Sequence, residues 1–186
     1  MNLPDMLDQL EMGQLLDIMG ELIRRIPGLV CLYSGIGERC VKKHPVFSQL
    51  EFAGHLRSFN PGEDHLHALE ISDVVLVPFT NRVFPHRIIE AMCSGKAIVA
   101  VDRNGVSEFV ERNIHACLVD MDLSNEVVET VSALLSDRKY AAILGSAARE
   151  RYLGQFSAET MVERYTRVYE ACRDKGQVQC ESNCRV

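Results

Sequence analysis

Short apolar runs alternate with longer amphipathic stretches along most of the chain. Several of the runs are apolar at every position, which is typical of strands that are covered on both faces. Five strands are predicted: 29–34 (LVCLYS), 50–54 (LEFAG), 74–79 (VVLVPF), 97–101 (AIVAV) and 116–119 (ACLV). Because helical patterns separate these strands, the sequence predicts an α/β fold with a doubly wound, mainly parallel sheet and helices on both faces.

The first helical pattern also predicts where its helix packs and where it ends. Its apolar face comprises Leu15, Leu16, Ile18, Met19, Leu22 and Ile23. It ends at Pro27, because proline cannot continue the helical hydrogen bonds. Other helices are predicted after Pro61, from Ser124 to 135, and over 138–153 and 157–173. A doubly wound nucleotide domain normally begins with a strand, but none is predicted before the first helix, so this first strand is expected to be missing or atypical.

Length and composition limit the domain organisation and the class of protein. The 186 residues suit one domain, which we place at 1–173, followed by a tail at 174–186 that lacks periodicity and is predicted to be disordered. No run approaches the roughly 20 apolar residues of a membrane span. The acidic N-terminus is unlike a signal peptide, so we expect a cytoplasmic protein. A net charge of −6 gives no general attraction to nucleic acid.

The loop and helix after the third predicted strand carry the most informative residues. In an open parallel sheet, such a loop faces the ligand crevice. Pro85 suits the first turn of a helix, where its missing N–H costs nothing. The free amides at that helix start, together with Arg82, His86 and Arg87, would form an anion site that suits a diphosphate.

Glu90 lies about one turn beyond that helix start. A carboxylate there could accept hydrogen bonds from two vicinal hydroxyls, such as those of a ribose. Arg87 and Glu90 are three positions apart and share a helix face, so they could equally form a plain surface ion pair. The spacing alone leaves both interpretations open.

Ordered motifs over about residues 11–173 resemble those of a known family. The run SDVVLVPF is followed by FPxxxxEAMxxGKxIVAxD, NGVSEFVE and HACLVD, with LVCLYSGIG and LEFAGHL before it and RERYLGQFSAETMVERYTRVYE after it. Together they are similar to the C-terminal domain of the group 1 retaining glycosyltransferases, which have two facing Rossmann-like domains. The resemblance implies a single Rossmann-like domain in this chain.

The resemblance also implies a substrate and roles for individual residues. The domain would bind a nucleoside-diphosphate sugar such as a UDP- or GDP-sugar, without cofactor or metal, and the sugar would be transferred to an acceptor hydroxyl with retention. The implied contacts are Glu90 for the ribose, the segment Arg82, Phe84, Pro85, His86 and Arg87 for the diphosphate, His55, Leu56 and Arg57 for the base, and a turn near the ligand at Gly35 and Gly37. The acceptor domain would be supplied elsewhere, by a partner chain or within an oligomer.

Two positions depart from the family pattern. Arg82 stands where the first of two glutamates is usual, and Met12 stands where the family has a lysine near the donor phosphates. These departures favour an alternative, a catalytically silent binding or scaffold subunit derived from a glycosyltransferase. A weaker alternative is half of a sugar-nucleotide epimerase, because that class shares the two-domain fold.

Several other motifs are interpreted as structural. Gly35 and Gly37 lack the third glycine of a dinucleotide fingerprint and indicate a turn. His65 and His67 are two positions apart and project to different sides of a helix, so a solvated helix start is favoured over a metal site. The scattered cysteines suggest free thiols in apolar surroundings and give no disulfide framework.

Overall fold

A computed structural model describes residues 9–33, 54–59, 65–78, 86–103, 105–120 and 124–183. The helices in these ranges are α1 (Gln9–Arg25), α2 (His65–Ile71), α3 (His86–Ser94), α4 (Val106–Phe109), α5 (Ser124–Ser136), α6 (Arg138–Gln155) and α7 (Ala158–Asn183). The strands are β1 (Cys31–Tyr33), β2 (Leu56–Ser58), β3 (Val74–Val77), β4 (Ala97–Val101) and β5 (Cys117–Val119). The order of strands and helices confirms the predicted α/β class.

All strand pairs among the described residues are parallel, and they form two small sheets. β1 pairs with β2, and β3, β4 and β5 lie side by side in that order. In the doubly wound strand order, the first strand lies between the second and the fourth. The break between β1 and β3 falls at that position, and the missing or atypical first strand stays a prediction. Residues 1–8 lie outside the described part of the chain.

β4 is the centre of the core because every one of its residues is buried. Its side chains alternate between two hydrophobic clusters, as the pleat of a strand requires. Ala97, Val99 and Val101 pack with α1 and α5, whereas Ile98 and Ala100 pack with α3 and α4. Helices therefore cover both faces of this sheet, as the sequence predicts.

The first helix has the predicted packing face. All six apolar residues of that face are buried in the cluster that α1 shares with α5. α1 ends at Arg25, two residues before Pro27. An ion pair between Arg25 and Glu129 of α5, at 2.5 Å, joins the two helices at their exposed edge. No helix of the described chain is long and apolar enough to cross a membrane.

The second strand lies further along the chain than predicted. The sequence favours 50–54, but the structure places β2 at Leu56–Ser58 and Gly54 in a turn with φ 74°. Leu56 decides this register, because its side chain enters the core while its backbone pairs with Cys31. A left-handed backbone at Gly54 does not fit a regular strand. Residues 50–53 lie outside the described part.

The last helix also differs from the sequence prediction. α7 continues to Asn183, ten residues beyond the domain end predicted at 173, so the chain is helical over most of the segment that was predicted to be disordered. The domain boundary itself stays a prediction. α6 begins at Arg138, and the carboxylate of Asp137, the residue before it, accepts a hydrogen bond from the Tyr140 backbone N–H at 2.9 Å.

Candidate functional site

Glu90 lies on α3, the helix that follows the carboxyl end of β3. Ile88, Ala91 and Met92 form the buried face of this helix and anchor it on the sheet. The helix ends at Ser94 and is followed by Gly95, whose φ of 67° is the left-handed conformation common after a helix. Glu90 projects from the partly exposed side, with 35% of its side chain accessible. A rigid, well-packed helix therefore carries the carboxylate to the surface of the molecule.

Two basic side chains converge on one oxygen of Glu90. Arg87 Nη1 lies 2.8 Å from Glu90 Oε2, one helical turn away. His65 Nε2, from the start of α2, lies 3.0 Å from the same oxygen. The predicted Arg87–Glu90 pair is therefore present, but a histidine from a different helix joins it. This third partner distinguishes the cluster from a simple surface ion pair.

Of His65, Arg87 and Glu90, His65 has the least accessible side chain. Only 16% of its side chain is accessible, compared with 40% for Arg87. Its ring stacks on Phe59, with centroids 6.1 Å apart and planes inclined by 24°. Contact with Phe59 on one side and Glu90 on the other restricts the imidazole to a narrow range of orientations. We call Phe59, His65, Arg87 and Glu90 the carboxylate cluster.

The hydrogen-bond geometry favours one tautomer of His65. Because a carboxylate only accepts hydrogen bonds, the proton belongs on Nε2, where it is donated to Glu90. The other tautomer would place a nitrogen lone pair 3.0 Å from a carboxylate oxygen. Arg87 Nη1 lies 2.9 Å from the same Nε2. With the proton on Nε2 this is a contact between two donors that share Glu90 Oε2, and not a hydrogen bond. Both contacts of Glu90 involve Oε2, and its Oε1 has no hydrogen bond within the described residues.

The carboxylate cluster lies where parallel strands end. Phe59 follows β2 directly and His65 begins the next helix, while Arg87 and Glu90 lie on the helix after β3. The carboxyl ends of strands in an open parallel sheet form the edge at which ligands bind. The cluster therefore joins side chains from two successive crossovers at that edge.

The structure covers part of the predicted diphosphate segment. His86 is the first residue of α3 and is exposed, and Arg87 follows it with its guanidinium directed to Glu90. The remaining predicted contacts to the diphosphate and the turn near the ligand lie outside the described residues: Arg82, Phe84, Pro85, Gly35 and Gly37. Their roles stay predictions.

The predicted base loop needs a correction. Leu56 and Arg57 belong to β2 instead of the loop that follows it, and the Leu56 side chain is buried in the core. His55 precedes the strand, at the opposite edge from its carboxyl end, and its Nδ1 lies 2.8 Å from the Leu29 carbonyl oxygen. The cause is the shifted register of β2, which places Phe59 at the position expected of the loop.

The sequence interpretation of His65 as a solvated helix start is also wrong. His67 fits that description, because it is exposed and lies 3.7 Å from Glu70 on the same helix. The two histidines do point to different sides, and the side that His65 faces carries Glu90. The missed signal was the pairing of a histidine after one strand with a carboxylate after the next. In the described part of the chain, no three His, Cys, Asp or Glu residues form a cluster that could hold a metal.

Comparison with known proteins identifies the family. The chain matches the family described as glycosyl transferases group 1 over residues 14–151. It is 22% identical over 145 residues to LpsE of Rhizobium meliloti, a lipopolysaccharide core biosynthesis glycosyltransferase, covering 78% of this chain and 43% of LpsE. The chain thus spans less than half the length of that relative.

Solved structures share the fold. HepE of Anabaena in complex with UDP-glucose superposes with a TM-score of 0.68 and 20% identity, over 83% of this chain and 44% of HepE. The C-terminal domain of the group 1 glycosyl transferase LpcC from Francisella tularensis superposes with a TM-score of 0.63 and 15% identity, over 78% of both chains. This chain belongs to the group 1 glycosyl transferases and corresponds to their C-terminal, Rossmann-like domain.

Proposed function

We propose that this chain binds the donor of a sugar-transfer reaction, a nucleoside-diphosphate sugar, with the ribose held by Glu90. The observation that carries the proposal is the carboxylate cluster at the carboxyl ends of the strands. Glu90 keeps one oxygen, Oε1, without a hydrogen bond within the described residues, and an ionised carboxylate oxygen is a strong acceptor for a hydroxyl. That UDP-glucose occupies the related HepE structure supports this choice of ligand class.

The diphosphate would lie beside the start of α3. Arg87 uses Nη1 for Glu90. A guanidinium has five N–H donors, so others remain for a phosphate oxygen. The backbone amides at the start of α3 and the exposed His86 add favourable electrostatic potential for an anion. Arg82, Phe84 and Pro85 would complete this side of the site.

In this proposal the chain supplies the donor half of a retaining, metal-independent transferase. An acceptor domain, on another chain or elsewhere in a longer polypeptide, would supply the acceptor hydroxyl and the remaining catalytic groups. The length of the relatives supports this division, because the chain spans only 43% of LpsE. Activity would then require both halves, whereas donor binding would require this one alone.

Calorimetry with UDP, GDP and ADP tests donor binding directly. We expect saturable binding of at least one of these diphosphates to the 186-residue chain. Glu90→Gln should weaken that binding by about 2 kcal/mol, roughly 30-fold, because a charged hydrogen-bond acceptor is lost. Glu70→Gln is the matched control, since Glu70 is an exposed carboxylate on α2 that lies outside the carboxylate cluster. Absence of binding by all three diphosphates at millimolar concentration would contradict the proposal.

A silent scaffold is the second candidate, and the sequence at Arg82 favours it. A cation replaces the first of the two glutamates that the family usually carries there. This alternative predicts that Glu90→Ala leaves every cellular phenotype of the gene unchanged. A split enzyme predicts that the same variant behaves as a loss of function and that a chain with an acceptor domain co-purifies with the wild type.

A further inference from the structure

We infer that His65 is a positioning residue for the donor, which together with Arg87 holds Oε2 of Glu90 and directs Oε1 towards the ribose hydroxyls. The inference rests on the proposed function, since it concerns the same site. It assigns a role to a residue on a different helix, 25 positions before Glu90. The chemical class of the ligand group is a vicinal diol.

The carboxylate cluster contacts only one of the two carboxylate oxygens of Glu90. Arg87 Nη1 at 2.8 Å and His65 Nε2 at 3.0 Å both contact Oε2. Arg87 alone, on the same helix, would leave the carboxylate able to rotate about its terminal bond, because such sp² torsions are broad. A second donor from another direction fixes the plane of the carboxylate. Fixing that plane orients the lone pairs of Oε1.

The side chain of His65 is itself held in place. Its ring stacks on Phe59 and is largely enclosed. Its Nδ1 is buried without a hydrogen bond in the described part of the protein. Leaving a buried polar nitrogen unpaired is unfavourable, so a merely structural role would be filled more stably by an apolar side chain. The Nε2 contact to Glu90 is the interaction that accounts for a histidine at this position.

The contacts with His65 preorganise Glu90 and Arg87 for the ligand. Glu90 with 35% and Arg87 with 40% of their side chains accessible would otherwise sample several rotamers in water. Ordering them before the ligand arrives removes that entropy cost from the binding step. His65, which is more enclosed than either partner, supplies the fixed point. Its loss should therefore reduce the affinity for the ribose diol specifically.

The test measures binding of two ligand series to three single variants, to Glu90→Ala and to the Glu90→Ala/His65→Ala double variant. UDP, GDP and ADP are compared with their 2′,3′-dideoxy forms, which lack the diol. The three single variants are His65→Ala, His65→Gln, whose side-chain amide can still donate to Glu90, and the control His67→Ala, which removes an exposed histidine from the same helix. Thermal melts of each variant show whether the chain is folded.

The expected result is a loss confined to the diol. His65→Ala should weaken ribonucleotide binding roughly fivefold to tenfold, the typical range for one hydrogen bond. The dideoxy affinity should change by less than about twofold, a difference too small for a lost hydrogen bond. His65→Gln should restore most of the ribonucleotide affinity, and His67→Ala should match the wild type. In a Glu90→Ala background, His65→Ala should have no further effect, because coupled residues are not additive.

Three outcomes would overturn the inference. An equal loss for ribo and dideoxy ligands would show that His65 only maintains the structure. Wild-type affinity of His65→Ala for the ribonucleotides would show that Glu90 holds the diol without His65. The proposed function, donor binding, would still stand. A wild-type chain that binds none of the diphosphates would overturn both this inference and the proposed function. Should His65→Ala fail to fold, His65→Gln and the Glu90→Ala chain still decide the question through the ratio of ribo to dideoxy affinity.

Discussion

β1 and β5 begin with the same two residues, Cys-Leu, yet they occupy opposite environments. Every residue of β5 is buried, and its side chains enter both hydrophobic clusters. Every residue of β1 is only partly buried; Cys31 and Tyr33 pack against one cluster, and Leu32 belongs to neither. Similar local sequence therefore gives a strand covered on two faces in one place and on one face in the other.

The difference separates the packed scaffold from the edge at which the carboxylate cluster lies. The sheet that contains β5 is enclosed by α3 and α4 on one side and by α1 and α5 on the other, and α6 contributes side chains to both clusters. The β1–β2 sheet leads through Phe59 into the carboxylate cluster, where polar side chains stay partly accessible. A ligand site needs accessible polar groups on a rigid support, and the two regions supply one each. Substitutions should therefore cost more stability in the first region than in the second.

The largest loss of stability is expected where α6 packs against the turn between α3 and β4. A Cβ at Gly145 would lie 2.2 Å from the Gly95 carbonyl oxygen, which is backbone and unable to move aside cheaply. We expect Gly145→Ala to lower the free energy of unfolding by about 3 kcal/mol, because overpacking forces the helix away from the turn between α3 and β4. Gly154→Ala is the matched control on the same helix, where a Cβ would meet nothing within 4 Å.

Urea denaturation of both glycine variants provides the measurement. Gly154→Ala should be neutral or more stable by up to about 1 kcal/mol, because alanine favours the helix. Equal and small effects at the two positions would show that α6 is not tightly fitted against the turn before β4.

A pair of leucine truncations tests the comparison most directly. Leu118→Ala in β5 should cost about 3 kcal/mol, because a buried side chain is replaced by a cavity. Leu32→Ala in β1 should cost about 1 kcal/mol, because the side chain is partly solvated and lies in neither cluster. Chemical denaturation measures both values. A cost at Leu32 equal to that at Leu118 would contradict the half-covered environment of β1.

The cap of α6 should give a smaller effect. Asp137 accepts the Tyr140 backbone N–H at 2.9 Å. Asp137→Ala should lower the free energy of unfolding by about 1 kcal/mol, and Asp137→Asn, which can still cap the helix, by less. Differential scanning calorimetry measures the change. If the two variants melt together, the hydrogen bond does not contribute to the scaffold.

Each of the two strands β1 and β5 carries a cysteine, and the pKa values of these two thiols can be compared. Burial raises the pKa of Cys31 to about 11, and nothing opposes that shift. Burial also raises the pKa of Cys117, but a hydrogen bond with Tyr140 and the charge of Arg112 act in the opposite direction. At pH 8, roughly one Cys31 side chain in a thousand is then a thiolate. We expect iodoacetamide to label the exposed Cys172 first and Cys31 much more slowly, as followed by mass spectrometry of the native chain.

The sign of the pH effect follows from the raised pKa. Folded Cys31 holds its proton more tightly than the unfolded chain, so its contribution to stability is complete below the ordinary thiol pKa and is lost as pH rises towards 11. The labelling rate of Cys31 should therefore keep rising by about tenfold per pH unit above pH 9. A labelling rate that levels off near pH 9 would show that the thiol is not desolvated.

Much of the scaffold could be predicted from the sequence because its signals are local. β4 has the predicted bounds, all six apolar residues of the first helix are buried, and α1 ends just before its proline. The site was predicted less well. Arg87 and Glu90 share a helix face and could be paired from spacing, whereas His65 and Phe59 come from another crossover and carry no local signal towards Glu90.

The sequence by itself determined the class of fold, the parallel order of strands and helices, and the family, because apolar periodicity and ordered motifs are properties of neighbouring residues. Only the tertiary structure decided which strand is covered on both faces, which residues form β2 and pair with β1, and which side chains meet in the carboxylate cluster. The register of β2 depends on the burial of the Leu56 side chain in the core, and that register sets the positions of Phe59 and His65. Contacts between residues 25 positions apart are fixed by the path of the chain, which no short sequence pattern specifies.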